Sequence, residues 1–239
     1  MGLLKKLEWD SDFFGFPVAQ VYSLSDEVEA WKEILYELKT QNIKLAYWMV
    51  QPDNLSFRDF AREYQGILVD NKTTYSIDLT SEENLAIKKN IEILDKNEPD
   101  TELLNLGVQC GAYSRFAIDK NIQTDKFEEL YKLWIINSLN KSMADDVLIY
   151  KSGNKTVGLV TVYEKNSVGN IGLIGVDEDY RGKGIGKTLI NAVKIYFIAK
   201  GIHKIHVVTQ GQNISACRLY ENTGFSVLER SDFYHFWFK

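Results

Sequence analysis

Two groups of residues in this sequence have types and spacing suited to chemistry. The first is Arg181, Gly182, Lys183, Gly184, Ile185, Gly186 and Lys187, which follows an apolar run (Ile171 to Val176) and an acidic turn of Asp177, Glu178 and Asp179. Glycine takes positive φ without a Cβ clash and lets backbone come close to a ligand. The next segment, T-L-I-N-A-V-K-I-Y-F-I-A-K, reads as a helix. A helix N-terminus offers free N–H groups and the positive end of its dipole to an anion. The chemistry implied is phosphate binding. The second group is Asn213 and Tyr220, seven residues apart in Q-N-I-S-A-C-R-L-Y-E-N-T-G-F. On a helix they share one face, two turns apart.

Spacing separates the known phosphate loops. A Walker A loop ending in Gly186-Lys187-Thr188 needs a glycine where Arg181 stands, and the next strand (Ile205 to Val208) ends in Thr209 and Gln210 rather than a magnesium-binding Asp. The dinucleotide fingerprint, started at Gly182 and Gly184, meets Lys187 where its last glycine belongs. The pattern Arg/Gln-x-x-Gly-x-Gly/Ala is met in full by Arg181, Gly184 and Gly186. In this the loop resembles the acetyl-CoA loop of the GNAT-type N-acetyltransferases. Gln212 to Phe225 resembles the family's other signature, Asn-x-x-(A/S)-x-x-x-Tyr-x-x-x-Gly-Phe.

Acyl transfer from a thioester to an amine needs a held acyl donor, a neutral amine, and a proton for the leaving thiolate. The resemblance implies that amides from Gly182 to Lys187 surround the pyrophosphate of acetyl-CoA, with Arg181 adding charge. It implies that backbone groups of Ile174, Gly175 and Val176 pair with the pantetheine arm, and that the Val176 N–H polarises the thioester carbonyl. Asn213 would hydrogen-bond the cofactor arm and cap its own helix. Tyr220 would protonate the sulfur. A phenol near pKa 10 giving a proton to a thiolate near 8.5 is uphill by roughly 2 kcal/mol, which a hydrogen bond that develops with the charge can offset. No base stands out. The acidic run reads as a solvated turn, and His203, His206 and His235 fall in or beside strands. No cysteine has a nucleophile-like setting, so direct attack in a ternary complex is expected.

Bulk properties narrow the function classes. The 239 residues suffice for a substantial core. A net charge of −5 provides no positive field to recruit nucleic acid. No apolar run has the length of a membrane span, and the N-terminal apolar stretch is too short for a signal peptide. Cys110 and Cys217 form no metal-spaced pair and fit a reducing cytoplasm. The expectation is a cytoplasmic enzyme without a metal.

The elements that must position these residues follow from periodicity. Strands are expected at Val18 to Ser23, Lys44 to Gln51 and Gly66 to Thr80, the last as two strands meeting near Asp70-Asn71. Helices are expected at Asp26 to Gln41, capped by Ser25, and at Asn54 to Tyr64. Phe13, Phe14 and Phe16 beside Gly15 and Pro17 suggest a turn. A boundary is placed between residues 95 and 96, and Ile87, Ile91 and Ile93 imply a short strand nearby. Then follow a helix from Thr101, a helix over Thr124 to Leu139, strands at Val147 to Lys151, Lys155 to Glu164 and Asn170 to Val176, a helix to Lys200, a strand at Lys204 to Thr209, a helix at Asn213 to Thr223, and a hairpin of Phe225 to Arg230 with Phe233 to Phe238. The expected class is α/β (α+β). A smaller β-α-β-α-β half-domain over 1–95 precedes a GNAT acyltransferase fold over 96–239, with a mixed, mostly antiparallel sheet.

The acceptor side is read from shorter stretches. Tyr113, Ser114, Arg115 and Phe116 sit where that family's acceptor-side helices begin, and Arg115 suits an anionic acceptor such as a nucleotide diphosphate. Together with the opening W-D-S-D-F-F-G-F-P-V-A and the extra N-terminal half, Y-S-R-F resembles the dTDP-fucosamine acetyltransferase group. That resemblance implies a dTDP-linked 4-amino deoxy sugar as acceptor, a role in surface-polysaccharide synthesis, and a homodimer.

Overall fold

The structure, a computed structural model, describes residues 4–22, 26–80 and 90–239. In chain order the elements are β1 (Leu4–Lys6), α1 (Glu8–Phe14), β2 (Val18–Val21), α2 (Val28–Thr40), β3 (Leu45–Val50), α3 (Leu55–Glu63), β4 (Ile67–Asp78), β5 (Ile91–Ile93), α4 (Thr101–Cys110), α5 (Arg115–Ile118) and α6 (Thr124–Leu139). They continue with β6 (Asp146–Ser152), β7 (Lys155–Lys165), β8 (Val168–Val176), a 3-10 turn (Glu178–Tyr180), α7 (Ile185–Ala199), β9 (Lys204–Gln210), α8 (Ile214–Glu221) and β10 (Ser226–Trp237). Ser25 and Ile87, read above as a cap and part of a strand, lie outside the described residues.

The chain forms two compact units, and they are not the two linear segments that a boundary at residues 95 and 96 describes. One comprises Met1–Lys72, Ile118–Asn121 and Arg230–Lys239, and the other Thr73–Ala117 and Ile122–Glu229. The reason is long-range pairing. Asp232 to Trp237 of β10 runs antiparallel to β3, so the chain's last strand belongs with its first strands.

In the first unit the strand order is β1-β2-β3-β10. The pair β2 and β3 is parallel and its neighbours are antiparallel. Trp31, Ile34, Leu35 and Leu38 recur at helical spacing on α2 and pack with Phe57 and Phe60 of α3 against Trp48, Tyr234 and Phe236. Asn54 starts α3 by accepting the Phe57 N–H at 2.9 Å. Each such apolar side chain contributes about 1.5–3 kcal/mol on burial.

In the second unit the order is β4-β9-β8-β7-β6-β5. Pairs from β5 to β8 are antiparallel, and β8 with β9 is parallel. Helix α7 lays Leu189, Ile190, Val193 and Phe197 on Val157, Val160, Val162, Ile171 and Val207. Asp100 caps α4 by accepting the Leu103 N–H at 2.9 Å.

Three local readings are corrected. The expected C-terminal hairpin is one continuous strand, β10, and the expected break near Asp70-Asn71 is also continuous, within β4. In both places a polar pair looks like a turn. Ser231 and Asp232 are in fact buried, and the Asp232 carboxylate accepts from Asn71 Nδ2 at 2.6 Å, so one residue of each polar pair is matched by the other inside the strands. The aromatic turn at residues 13–16 is the end of helix α1. Ser11 Oγ donates to the Leu7 carbonyl and accepts from the Val18 N–H, and Gly15 closes the helix at φ 77°.

Candidate active site

The site begins where two strands part. Strand β8 pairs with β9 only from Gly169–Ile205 to Ile171–Val207, although β8 runs on to Val176 and β9 to Gln210. A bulge accompanies the parting. Between the pairs Val160–Ile174 and Val162–Ile171, Gly172 and Leu173 lie opposite Thr161 alone. The Leu173 N–H, displaced from the ladder, donates to Thr161 Oγ1 at 2.8 Å. A Cβ on Gly172 would come within 2.7 Å of that oxygen, so only glycine fits the bulge. The parted strands open a cavity of about 770 Å³, walled by Gly172 to Val176 on one side and Val207 to Gln210 on the other.

One end of the cavity is the glycine-rich loop. Gly182 and Gly184 have φ of 75° and 77°, a left-handed conformation that a side chain would strain. Gly184 is the N-cap of α7 and no side chain caps that helix, so its first-turn amides face the cavity rim without a protein acceptor among the described residues. The Arg181 guanidinium turns back onto the protein. Its Nε donates to the Val176 carbonyl at 3.1 Å and its Nη2 to Gln109 Oε1 at 3.3 Å.

Helix α8 also lines the cavity, and its Leu219 packs close to Gly186. Asn213 caps α8, accepting the Ala216 N–H at 3.1 Å. Tyr220, 2% exposed, lines the cavity. Burial pushes its phenol pKa up. Cys110, at the end of α4, lines the wall beside Gly175, and burial pushes its thiol up to about 12 against a smaller lowering by Arg181. Tyr131 and Trp134 of α6, their rings stacked at 5.8 Å, complete that wall with Tyr113.

Among the described residues, the cavity is lined by no Asp, Glu or His, and its charged side chains are Arg181 and Lys187. The acidic run is engaged elsewhere. Asp177 pairs with Lys155 at 3.1 Å and accepts the Asp179 N–H, while the Glu178 N–H donates to Gln109. His203 and His206 do not line the cavity. His235 is buried in the first unit against Asp119. Among the described residues no cluster of metal-ligating side chains occurs, and no helix is long and apolar enough to cross a membrane.

The cavity therefore gathers Ile174, Gly175, Val176, Arg181, Gly182, Gly184, Ile185, Gly186, Lys187, Asn213, Tyr220 and Tyr113. It does not gather Lys183, whose ammonium donates to the Asp179 carbonyl and sits 4.5 Å over the Tyr180 ring. Nor does it gather Ser114, which is buried, or Arg115 and Phe116, where the guanidinium lies 4.5 Å over the neighbouring ring. Sequence reasoning missed Gln109, Cys110, Tyr131 and Trp134. Only glycines within strand β8 hinted that something packs closely there.

Residues 113–225 match the acetyltransferase (GNAT) family. The acetyltransferase SG1711 of Sodalis glossinidius is 30% identical over 112 residues, which cover 41% of this chain and 78% of that protein. The chain belongs to the GNAT acetyltransferase family. This GNAT protein is also similar to the spore coat polysaccharide biosynthesis protein SpsD of Bacillus subtilis, 25% identical over 139 residues that cover 58% of this chain and 48% of SpsD. Against the curated relatives matched first, several of them mycothiol acetyltransferases, the chain spans 19% to 29% of their length. Among solved structures, the GCN5-related N-acetyltransferase from Sphaerobacter thermophilus has the same fold. Its TM-score is 0.60 at 14% identity, covering 97% of this chain and 75% of that one. The mixed, mostly antiparallel sheet is thus the GNAT fold.

Proposed function

We propose that this protein is an N-acetyltransferase that transfers the acetyl group of acetyl-CoA to the amino group of a dTDP-linked amino-deoxy sugar, by direct attack in a ternary complex. The observation that carries the reading is the parted β8 and β9, with an anion-binding helix start and Tyr220 lining the same opening. The residues present fit the co-substrate. The amides of Ile185, Gly186 and Lys187 would hold the pyrophosphate, with the Lys187 charge beside them. The unpaired edge of β8 at Ile174 to Val176 would take the pantetheine amides, and the Val176 N–H would face the thioester oxygen as negative charge develops there. Arg181, tied to Val176 and Gln109, would hold the loop against the strand end rather than neutralise phosphate alone.

In the reaction the amine nitrogen bonds to the thioester carbon, the carbon–sulfur bond breaks, and Tyr220 gives its proton to the sulfur. Burial weakens the phenol as an acid, but the same burial makes an unprotonated thiolate costly, so the two effects offset each other. The ammonium proton leaves to water, since no carboxylate or imidazole lines the cavity, and water returns a proton to the Tyr220 phenolate. An amine with a pKa near that of an α-amino group, about 8, is already partly neutral at pH 7 to 8. Cys110 is no nucleophile. Burial holds its thiol up at about 12, so the nucleophilic thiolate is disfavoured at neutral pH.

The acceptor reading is supported by the absence of acidic side chains among the described lining residues, which disfavours a polyamine, and by the similarity to SpsD. Tyr113, Tyr131 and Trp134 offer aromatic faces to such an acceptor. The test is a thiol-release assay with acetyl-CoA and dTDP-4-amino-4,6-dideoxy sugars, beside a polyamine, an aminoglycoside and a peptide N-terminus. The dTDP sugars are expected to lead in kcat/KM by roughly a hundredfold. A lead for a cationic amine removes the sugar reading, and acetyl-CoA binding with no thiol release from any amine makes this a binding module. Tyr220→Phe is expected to lower turnover with little change in acetyl-CoA affinity, and Cys110→Ala to retain it.

A further inference from the structure

Tyr220 is held from outside the residues that match the family. Tyr75 lies on β4, ahead of the matched 113–225, and is 1% exposed. Its ring stands 5.5 Å from the Tyr220 ring at 48°. Its hydroxyl donates to Glu221 Oε1 at 2.9 Å, and Glu221 is the residue after Tyr220 in the eight-residue helix α8. Two residues further along β4, Ile77 approaches the chain just past the end of that helix. A Cβ on Gly224 would come within 3.3 Å of Ile77 Cδ1. The Tyr220 ring also meets Phe225 at 5.9 Å.

We infer that Tyr75 is a positioning residue for acyl transfer: its ring and its bond to Glu221 fix the direction in which Tyr220 presents its hydroxyl. The inference rests on the proton-donor reading of Tyr220. The physical argument concerns freedom. Helix α8 is short and ends at Glu221, so its last turn depends on tertiary contacts for its orientation. Phe225 makes one ring contact with Tyr220, and Tyr75 makes another together with a hydrogen bond to the adjacent residue. A hydroxyl displaced by about 1 Å from the leaving sulfur loses much of its effect on rate. The Tyr75 hydroxyl is engaged in donating a hydrogen bond to the Glu221 carboxylate, so it acts through Tyr220 and not on the substrate. The segment before the matched region is therefore part of the catalytic apparatus.

The test measures thiol release from acetyl-CoA with the best amine of the panel and with water alone, since both routes expel the same thiolate. Tyr75→Phe and Glu221→Ala are expected to lower kcat about threefold and Tyr75→Leu roughly tenfold, with acetyl-CoA affinity unchanged. Glu221→Gln, whose amide oxygen still accepts the bond, is expected to stay within about twofold. The deciding measurement repeats Tyr75→Leu in a Tyr220→Phe background, where its effect on kcat is expected to vanish. The same fold loss in both backgrounds, or full turnover in Tyr75→Phe and Tyr75→Leu, overturns the inference while leaving Tyr220 in place. Full turnover in Tyr220→Phe alone overturns the reading of Tyr220, and this inference with it. Acetyl-CoA affinity and melting temperature report folding, and if Tyr75→Leu does not fold, the Tyr75→Phe and Glu221→Ala pair is tested in the same two backgrounds.

Discussion

Cys110 Sγ occupies the space that a side chain on Gly175 would need: a Cβ there would come within 2.5 Å of the sulfur. Helix α4 can lie against β8 at the mouth of the cleft because position 175 has no side chain. Gly175→Ala must therefore push α4 or the strand aside, which costs about 1–3 kcal/mol as overpacking. Removing the sulfur changes the outcome, since the remaining neighbours, the Leu106 carbonyl and Cys110 Cβ, are 3.7 and 3.8 Å away. Gly175→Ala is expected to lower the melting temperature and weaken acetyl-CoA binding, and Gly175→Ala with Cys110→Ala to recover most of both. Strictly additive losses in the double variant would refute the contact.

The parts of the site that were legible in the sequence are those whose geometry is local. Gly182 and Gly184 need positive φ, Asn213 is an N-cap, and Asn213 and Tyr220 share a helix face. Each of these is fixed within a few residues of chain. What escaped is what packing across the sheet decides. Cys110, Tyr131 and Trp134 reach the cavity because α4 packs on β8 and α6 packs on α4, and nothing near them in sequence marks that packing. Ser231-Asp232 and Asp70-Asn71 looked like turns because polar pairs usually are; here Asn71 and Asp232 satisfy each other inside strands. The Y-S-R-F stretch was read as a unit, yet only Tyr113 reaches the cavity, since the chain turns into α5 directly after it.

Lys183 and Lys187 separate two uses of a basic residue in one loop. The Lys187 side chain lines the cavity at the first turn of α7, whereas Lys183 is occupied by the Asp179 carbonyl and the Tyr180 ring. Lys187→Ala is expected to weaken CoA binding about tenfold, near 1.4 kcal/mol, and less so at high salt. Lys183→Ala is expected to stay within about twofold. Isothermal titration with CoA at two ionic strengths checks this; equal losses from both substitutions contradict the assignment.

The bulge in β8 has one hydrogen bond to lose. Thr161 Oγ1 is the acceptor for the Leu173 N–H, and both residues are buried. Thr161→Val keeps the shape and leaves that donor unsatisfied, at a cost of about 1–3 kcal/mol. Thr161→Ser retains the oxygen and is expected to remain close to the native stability. Because the bulge sets the direction of Ile174 to Val176, Thr161→Val should also weaken acetyl-CoA binding. Chemical denaturation and a binding titration on both variants check the pair, and indistinguishable Val and Ser variants would argue against the role.

The first unit carries a pH-dependent fastening. Asp119 Oδ2 accepts from His235 Nδ1 at 2.6 Å and from Trp237 Nε1 at 2.8 Å, with both side chains of the Asp–His pair fully buried. Burial by itself raises the Asp119 pKa, but the hydrogen bonds from His235, the Asn121 N–H and Trp237 outweigh it, and the carboxyl titrates below its usual value. A folded-state pKa below the unfolded value of about 3.9 means that the carboxylate stabilises the fold above pH 4, and that this contribution disappears as pH falls through the folded-state value. Asp119→Ala is expected to destabilise the protein by about 3–5 kcal/mol at pH 7, since it leaves a buried partner unmatched. The gap to the native protein is expected to narrow below pH 4 and to be unchanged between pH 6 and 7 as far as this carboxyl is concerned. Thermal melts followed by circular dichroism at pH 7, 5 and 3 measure it, and a gap that widens on acidification would reverse the sign assigned to Asp119.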